Sequence, residues 1–222
     1  MTIKDIAVAA GSAVCLFSTC CTAAPARFEA NNTVVSQRDP ALKIKLPNSF
    51  HYVGTDRFFL AQPKLGNVEQ AELYAFVDAP DGHHVRRYVW IQFEGYLPGH
   101  PELHMTYDSP QHVSIGGLDF YQDEGVGFAA HVQKPGSDGD RFYSLLASHG
   151  YQRGDLMWVR LVHLLDASKR KELMIIYAES VDGTGFTATQ LDKGGAEYSK
   201  WAAIADGLAR RAEQSIKIAA PR

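Results

Sequence analysis

Apolar and polar residues alternate along much of the chain between residues 42 and 165, and this pattern predicts β-strands. In Leu42–Leu46 apolar residues alternate with lysines, which is typical of a strand with one face in water. Val85–Tyr96 carries the strongest signal, because both of its alternating sets of side chains are largely apolar. A strand of that kind is expected at the centre of a sheet, covered on both faces.

Further strands are predicted at Phe50–Val53 and Arg57–Ala61 (a hairpin around Gly54-Thr55-Asp56), Glu72–Val77, His104–Tyr107, His112–Ile115, Leu118–Tyr121, Phe128–Val132, Leu156–Leu165 and Leu173–Glu179.

Two segments have the spacing of amphipathic helices instead. Residues 140–149 place apolar side chains at helical intervals, with Asp140 as a possible cap and Gly150 as the end. Residues 197–215 carry a longer apolar stripe that begins at Tyr198. Strands with short connections followed by a long helix predict an α+β fold, a mostly antiparallel β-sheet packed against a short middle helix and a long C-terminal amphipathic helix.

The beginning of the chain has the composition of an export signal over residues 1–26. Lys4 precedes an uncharged run from Ile6 to Phe17, and small residues end the segment at Ala26. The run is shorter than the roughly 20 apolar residues that a bilayer span needs. We therefore expect a periplasmic or secreted protein.

Domain boundaries follow from composition. The polar, unpatterned residues 27–40 predict a flexible tether, and residues 41–222 predict a single α+β domain. No later segment is long and apolar enough to predict a transmembrane segment in the mature chain.

All three cysteines fall inside the predicted signal. Residues 27–222 therefore contain neither a disulfide nor a thiol nucleophile. Cys20 lies where a bacterial lipoprotein carries its lipidated cysteine, so a lipid anchor is one interpretation. Ordinary cleavage after Ala26 is the alternative, and the sequence leaves both open.

Composition narrows the range of functions. The chain is 45% apolar, which is enough for a substantial core, and its formal net charge is only −3. Without a surplus of basic side chains, nucleic-acid binding is not expected. Motifs of serine nucleophiles such as Gly-x-Ser-x-Gly are absent from the sequence.

The segment His100-Pro101-Glu102-Leu103-His104 has the closest pair of histidines with a carboxylate between them. At helical spacing His100 and His104 would share a face and could bind one metal ion, with His112 completing the site. Gly99 and Pro101 disfavour a helix there, so a solvated loop with incidental histidines is the alternative.

Aromatic residues cluster in the part of the chain that predicts the sheet. On the central strand Tyr88, Trp90, Glu94 and Tyr96 are candidate ligand-binding residues, and burial of Glu94 beside aromatics would raise its pKa. The plain alternative is that these residues are core.

Three hypotheses on function follow. The first is an exported cell-envelope domain without catalytic activity that binds a small apolar ligand or a protein partner. The second is an envelope hydrolase or metal-dependent enzyme that uses His100, His104, His112 and Glu94. The third is a structural accessory domain. No organic cofactor is predicted in any of them.

Overall fold

The computed structural model describes residues 26–220 of the chain. The predicted export signal, including Cys20, lies outside the described residues apart from Ala26. In chain order the elements are β1 (Arg27–Glu29), β2 (Thr33–Ser36), β3 (Leu42–Lys45), β4 (His51–Gln62), β5 (Gly66–Asp78), β6 (His84–Val85), β7 (Arg87–Tyr96), β8 (Gln111–Ile115), β9 (Leu118–Gly127), α1 (Asp138–Ser148), β10 (Gln152–Arg153), β11 (Leu156–Leu164), β12 (Lys171–Ser180), α2 (Ala188–Leu191), α3 (Trp201–Ser215) and β13 (Lys217–Ala219).

The largest element of the fold is a seven-stranded sheet in the order β4-β5-β7-β12-β11-β9-β8. All neighbouring strands in it run antiparallel. The strand β7 lies near its centre, and residues 88–93 are all buried, as expected for a strand covered on both faces. The strands predicted at Leu156–Leu165 and Leu173–Glu179 are confirmed as β11 and β12, which pair antiparallel.

One face of the large sheet, which we call the α3 face, packs against α3 and a second, four-stranded sheet. The order of that small sheet is β1-β2-β3-β13, so its strands come from both ends of the described chain. Side chains from both sheets and from α3 form one continuous core, which includes Ile44, Ile91, Ile175 and Leu208. Burying these side chains supplies the main stabilising contribution in a domain that has no disulfide.

The opposite face, which we call the α1 face, is partly covered by the short helix α1. The Ser137 side chain caps this helix by accepting a hydrogen bond from the backbone N–H of Asp140. Phe142 on α1 is fully buried and stacks on Trp90, with ring centroids 4.5 Å apart and planes within 7°. This stacking fixes the position of the helix on the sheet.

The predicted α+β class is confirmed, with α1 as the middle helix and α3 as the long C-terminal helix. A 3₁₀ turn at Tyr198–Lys200 precedes α3. Within residues 26–220, no helix has both the length and the apolar character needed to cross a bilayer.

Several local predictions differ from the structure. Residues 27–40 contain β1 and β2 instead of a flexible tether, because β2 pairs with β3 and buries Val34 and Ser36. The predicted hairpin around Gly54 is the single strand β4, whose register shifts at that point. His104–Tyr107 and Phe128–Val132 are not strands.

Candidate functional site

A row of polar side chains crosses the otherwise apolar α1 face. Gln92 and Glu94 alternate with buried apolar residues on β7, and Glu172 on β12 lies directly opposite Glu94 in the register. Gln92 and Glu172 are fully buried in the described structure. Buried polar groups require hydrogen-bond partners, and a buried pair of acids is destabilising unless protons or donors neutralise it.

Hydrogen bonds link this row into a continuous chain. The indole Nε1 of Trp90 donates to Gln92 Oε1 at 2.9 Å, and Gln92 Nε2 donates to Glu94 Oε2 at 2.8 Å. The Tyr107 hydroxyl lies 2.7 and 2.8 Å from the two carboxyl oxygens of Glu172, so it donates to this group. We call the five side chains Trp90, Gln92, Glu94, Glu172 and Tyr107 the polar network. Among the described residues, no buried side-chain nitrogen or oxygen lacks a partner.

The two carboxyl groups of the network hold a proton at neutral pH. Burial, and next the neighbouring Glu94, raise the pKa of Glu172 to about 10. Burial also raises the pKa of Glu94, which lies within hydrogen-bonding reach of Glu172. Two like charges in a dry environment repel each other strongly, whereas a shared proton converts the repulsion into a hydrogen bond.

A third carboxyl group, Glu69 on β5, lies at the edge of the network. Burial raises the pKa of Glu69 to about 8, and the charges of Glu94 and Asp138 add to this effect. Burial also raises the pKa of Tyr107, and the nearby charge of Glu172 raises it further, so the phenol keeps its proton as a donor. Below pH 8 this part of the sheet therefore carries less negative charge than three ionised glutamates would give it.

Arg170 positions the segment that carries Tyr107. Its guanidinium Nη1 donates to the carbonyl oxygens of His100 and Leu103 at 2.5 and 2.7 Å, and Nη2 donates to that of Leu97 at 2.9 Å. The backbone N–H of Met105 also donates to Lys169 O at 2.7 Å. Because the planar guanidinium has donors in fixed directions, these contacts hold an irregular segment in one conformation.

A cavity of about 400 Å³ lies beside Tyr107, between the segment 107–111 and β9. Its lining residues are Tyr107, Asp108, Ser109, Pro110, Gln111, Tyr121, Gln122, Asp123, Glu124, Arg160 and Val162. We call it the Tyr107 cavity. Arg160 binds Asp123 through both Nε and Nη2, at 3.0 and 2.5 Å, and the rings of Tyr107 and Tyr121 are 5.8 Å apart.

The candidate ligand-binding residues of the sequence divide into two groups. Tyr88 and Trp90 are buried beneath α1, where the Tyr88 hydroxyl lies 3.1 Å from that of Tyr143, so both are part of the core. Glu94 belongs to the polar network. Tyr96 lies at the end of β7, with its ring centroid 5.8 Å from the Arg170 guanidinium carbon.

Each of the three candidate metal ligands has its Nδ1 atom near an oxygen of an acidic residue. His100 Nδ1 is 3.6 Å from a Glu102 carboxylate oxygen, and His104 Nδ1 is 3.2 Å from the Glu102 carbonyl oxygen. His112 lies on β8, with its Nδ1 3.1 Å from Asp119 Oδ2. Residues 26–220 contain no group of three or more His, Cys, Asp or Glu side chains placed to hold a metal ion. The metal-dependent enzyme therefore stays a prediction. In the described part of the chain, no hydrogen bond or ion pair joins these three histidines to Glu94.

Sequence reasoning missed Glu172, Tyr107 and Arg160. The sequence does carry a signal for Glu172, because it alternates with Met174 and Ile176 on one face of β12. The predicted strand begins at Leu173, two residues after the observed start at Lys171, and so leaves Glu172 out. Tyr107 carried no such signal, since it lies in an irregular segment.

Comparisons of the chain with protein-family models, curated proteins and solved structures find no match. The geometry of the site is therefore the basis for inferring its function.

Proposed function

We propose that this protein is an exported, non-catalytic binding domain that holds a small cationic ligand, such as an alkylamine, in the Tyr107 cavity. The observation that carries the proposal is the chemistry of the groups left available in that cavity. Export rests on the composition of residues 1–26, and its possible forms are a periplasmic, secreted or lipid-anchored protein.

The available groups favour a positive charge. Arg160, the cation of the cavity, is already bound in two places by Asp123. Asp108 at the rim makes no hydrogen bond or ion pair with another residue of the part that the structure describes. Glu124 alternates with Asp123 on β9 and therefore lies on the opposite face of the sheet. One free carboxylate beside two tyrosine rings is a suitable environment for an ammonium group, through charge and cation–π attraction.

The polar network has a positioning role in this proposal. Glu172 is buried, Glu94 is partly buried, and neither lines the Tyr107 cavity, so they do not touch a ligand held there. Because they share a proton, Glu172 can accept a hydrogen bond from the Tyr107 hydroxyl without leaving an uncompensated buried charge. With Arg170 holding the segment from the other side, the wall of the cavity is formed before the ligand arrives, which lowers the entropy lost on binding.

The chemistry of the cavity changes the sequence-based hypothesis in one respect. The sequence predicted a small apolar ligand or a protein partner, with aromatic side chains to hold the ligand, but Tyr88 and Trp90 pack against α1. The Tyr107 cavity has polar and charged groups around its rings, so the proposed ligand is polar and carries hydrogen-bond donors.

Isothermal titration calorimetry of the purified protein with putrescine tests the proposal, with succinate as the anionic comparison. We expect putrescine to bind and Asp108→Asn to weaken it about fivefold, the effect of one partly screened charge pair. Glu213→Gln is the control, because Glu213 is an exposed acid on α3 and does not line the cavity. Absence of putrescine binding, or equal affinity in Asp108→Asn and the parent protein, would contradict the proposal.

A further inference from the structure

A second cleft, of about 600 Å³, lies where the start of β1 meets the ends of β5, β7 and β12. Four basic side chains line it (Arg27, Arg38, Arg57 and Lys171) together with the two acids Asp39 and Glu72. We call it the basic cleft. Glu94 also borders it, but the Glu94 side chain belongs to the polar network on the α1 face. Four cations and two acids leave an excess of two positive charges.

Arg27 is held rigidly inside this cleft. Its side chain is only 15% exposed, and it donates hydrogen bonds to Ser36 Oγ at 3.2 Å and to the Asp39 carbonyl oxygen at 2.7 Å. The guanidinium carbon lies 4.3 Å from the centroid of the Phe93 ring. Burial lowers the pKa of Arg27, although Glu72 opposes this effect. A desolvated guanidinium in a fixed orientation interacts with an anion more strongly than a mobile surface arginine does.

Arg38 is the uncompensated cation of the cleft. Its guanidinium makes no hydrogen bond or ion pair with any residue between 26 and 220, whereas Lys171 Nζ is 3.0 Å from Asp39 and Arg57 Nη2 is 2.7 Å from Glu72. The backbone carbonyl oxygen of Arg38 accepts hydrogen bonds from the Arg27 guanidinium and the Ser36 hydroxyl. The backbone of Arg38 is thus fixed while its side chain remains available.

Gly95 gives Lys171 access to the cleft. These residues are directly opposite each other on β7 and β12, and a Cβ atom at Gly95 would lie 3.1 Å from Lys171 Cγ. That distance is shorter than ordinary van der Waals contact, so a side chain at residue 95 would displace Lys171. Beyond Gly95 the lining becomes apolar, with Tyr96, Leu97 and Pro98.

Charge balance distinguishes the basic cleft from another arginine-lined cavity, of about 800 Å³, beside β6. In that cavity Arg86 and Arg87 both bind the buried carboxylate of Asp78, and Arg211 binds Glu179 at 2.8 Å. Its arginines are therefore committed to internal acids, and no comparable surplus of positive charge is left there.

From the surplus of two positive charges, the fixed Arg27 and the adjoining apolar wall, we infer that the basic cleft binds a small phosphate monoester. The phosphate would accept hydrogen bonds from Arg38, Arg27 and Lys171, since phosphate and guanidinium match in charge and geometry. The organic part of the ligand would lie against Leu97 and Pro98. This site is separate from the Tyr107 cavity and does not depend on the function proposed for it.

Titration of ¹⁵N-labelled protein with phenyl phosphate, monitored by NMR, tests the inference. We expect saturable shifts of the Gly95 and Arg27 amides, and binding by inorganic phosphate or succinate that is weaker by about tenfold, because neither provides both the phosphate dianion and an apolar group. Arg38→Gln should weaken phenyl phosphate about tenfold, while Arg210→Gln, a change at an exposed arginine of α3, should not.

Three outcomes would overturn the inference: no saturable shift with phenyl phosphate, equal affinity for phenyl phosphate and inorganic phosphate, or equal affinity in Arg38→Gln and the parent protein. Misfolding is not expected in Arg38→Gln, since the exposed Arg38 side chain makes no hydrogen bond or ion pair with another described residue and its carbonyl is retained. An unchanged thermal unfolding midpoint in Arg38→Gln would verify this point.

Discussion

Replacing Glu172 by glutamine tests whether the polar network holds its proton. The amide of glutamine can accept from the Tyr107 hydroxyl through its oxygen and donate to Glu94 through its nitrogen, so Glu172→Gln preserves the shape and the hydrogen bonds. It removes only the ionisable proton. The expected change is therefore in the pH dependence of stability, with little change in the fold.

The magnitude follows from the raised pKa of Glu172. In the folded protein this group keeps its proton up to about pH 10, whereas in the unfolded chain it loses the proton near its ordinary value of 4.5. Between these limits the folded state binds one more proton than the unfolded state, so the free energy of unfolding falls as the pH rises. One retained proton corresponds to about 1.4 kcal/mol per pH unit, or about 3 kcal/mol from pH 6 to pH 8.

Glu69 contributes in the same direction. The pKa of Glu69 is raised to about 8, so its stabilising effect is complete below pH 4.5 and is lost as the pH rises toward 8. Because Glu69 is only partly buried, we expect a smaller effect than that of Glu172.

Urea unfolding at pH 6, 7 and 8, monitored by tryptophan fluorescence, measures the effect. The parent protein should lose stability across this range, and Glu172→Gln should lose about 3 kcal/mol less. Glu213→Gln, at an exposed position of α3, is the matched control and should keep the parent slope. Parallel pH profiles of the parent protein and Glu172→Gln would refute the argument that Glu172 is protonated in the fold.

Further predictions concern packing and positioning. Phe142→Ala should lower the free energy of unfolding by about 3–5 kcal/mol in urea titration, because the ring is fully buried under α1. Arg170→Ala should speed amide hydrogen exchange in residues 97–103 far more than elsewhere, since it removes the hydrogen bonds to that segment. Gly125→Ala should lower the thermal unfolding midpoint, because its Cβ atom would lie 2.7 Å from the Trp158 ring, at a cost of about 1–3 kcal/mol. Unchanged values in these three measurements would contradict the packing described here.

The sequence predicts the centre of the fold better than its periphery. In β7, β11 and β12 the apolar pattern and the β-branched residues agree, so local preference and tertiary packing point to the same structure. In residues 27–40 the decisive interactions are the pairing of β2 with β3 and the burial of Val34. Those contacts depend on partners that a local pattern does not identify.

The candidate site was predictable only in part. Glu94 stood out in the sequence because a carboxylate ends an aromatic strand, and in the structure it is partly buried and desolvation raises its pKa. Its partner Glu172 and the donor Tyr107 come from distant parts of the chain, so their convergence depends on the strand order of the sheet. The histidines at 100 and 104 were conspicuous in sequence, but the backbone around them is organised by Arg170.

The hydrogen bonds that Arg170 makes have a consequence for how the affinity for the proposed ligand could be changed. The Arg170 guanidinium donates hydrogen bonds to carbonyl oxygens across the seven residues 97–103, yet Arg170 does not line the Tyr107 cavity. If the cavity binds the ligand proposed for it, a change at Arg170 would alter the affinity through the order of the cavity wall, without changing any atom that contacts the ligand. Substitutions at residue 170 would then change the affinity in steps while every side chain that lines the cavity is kept.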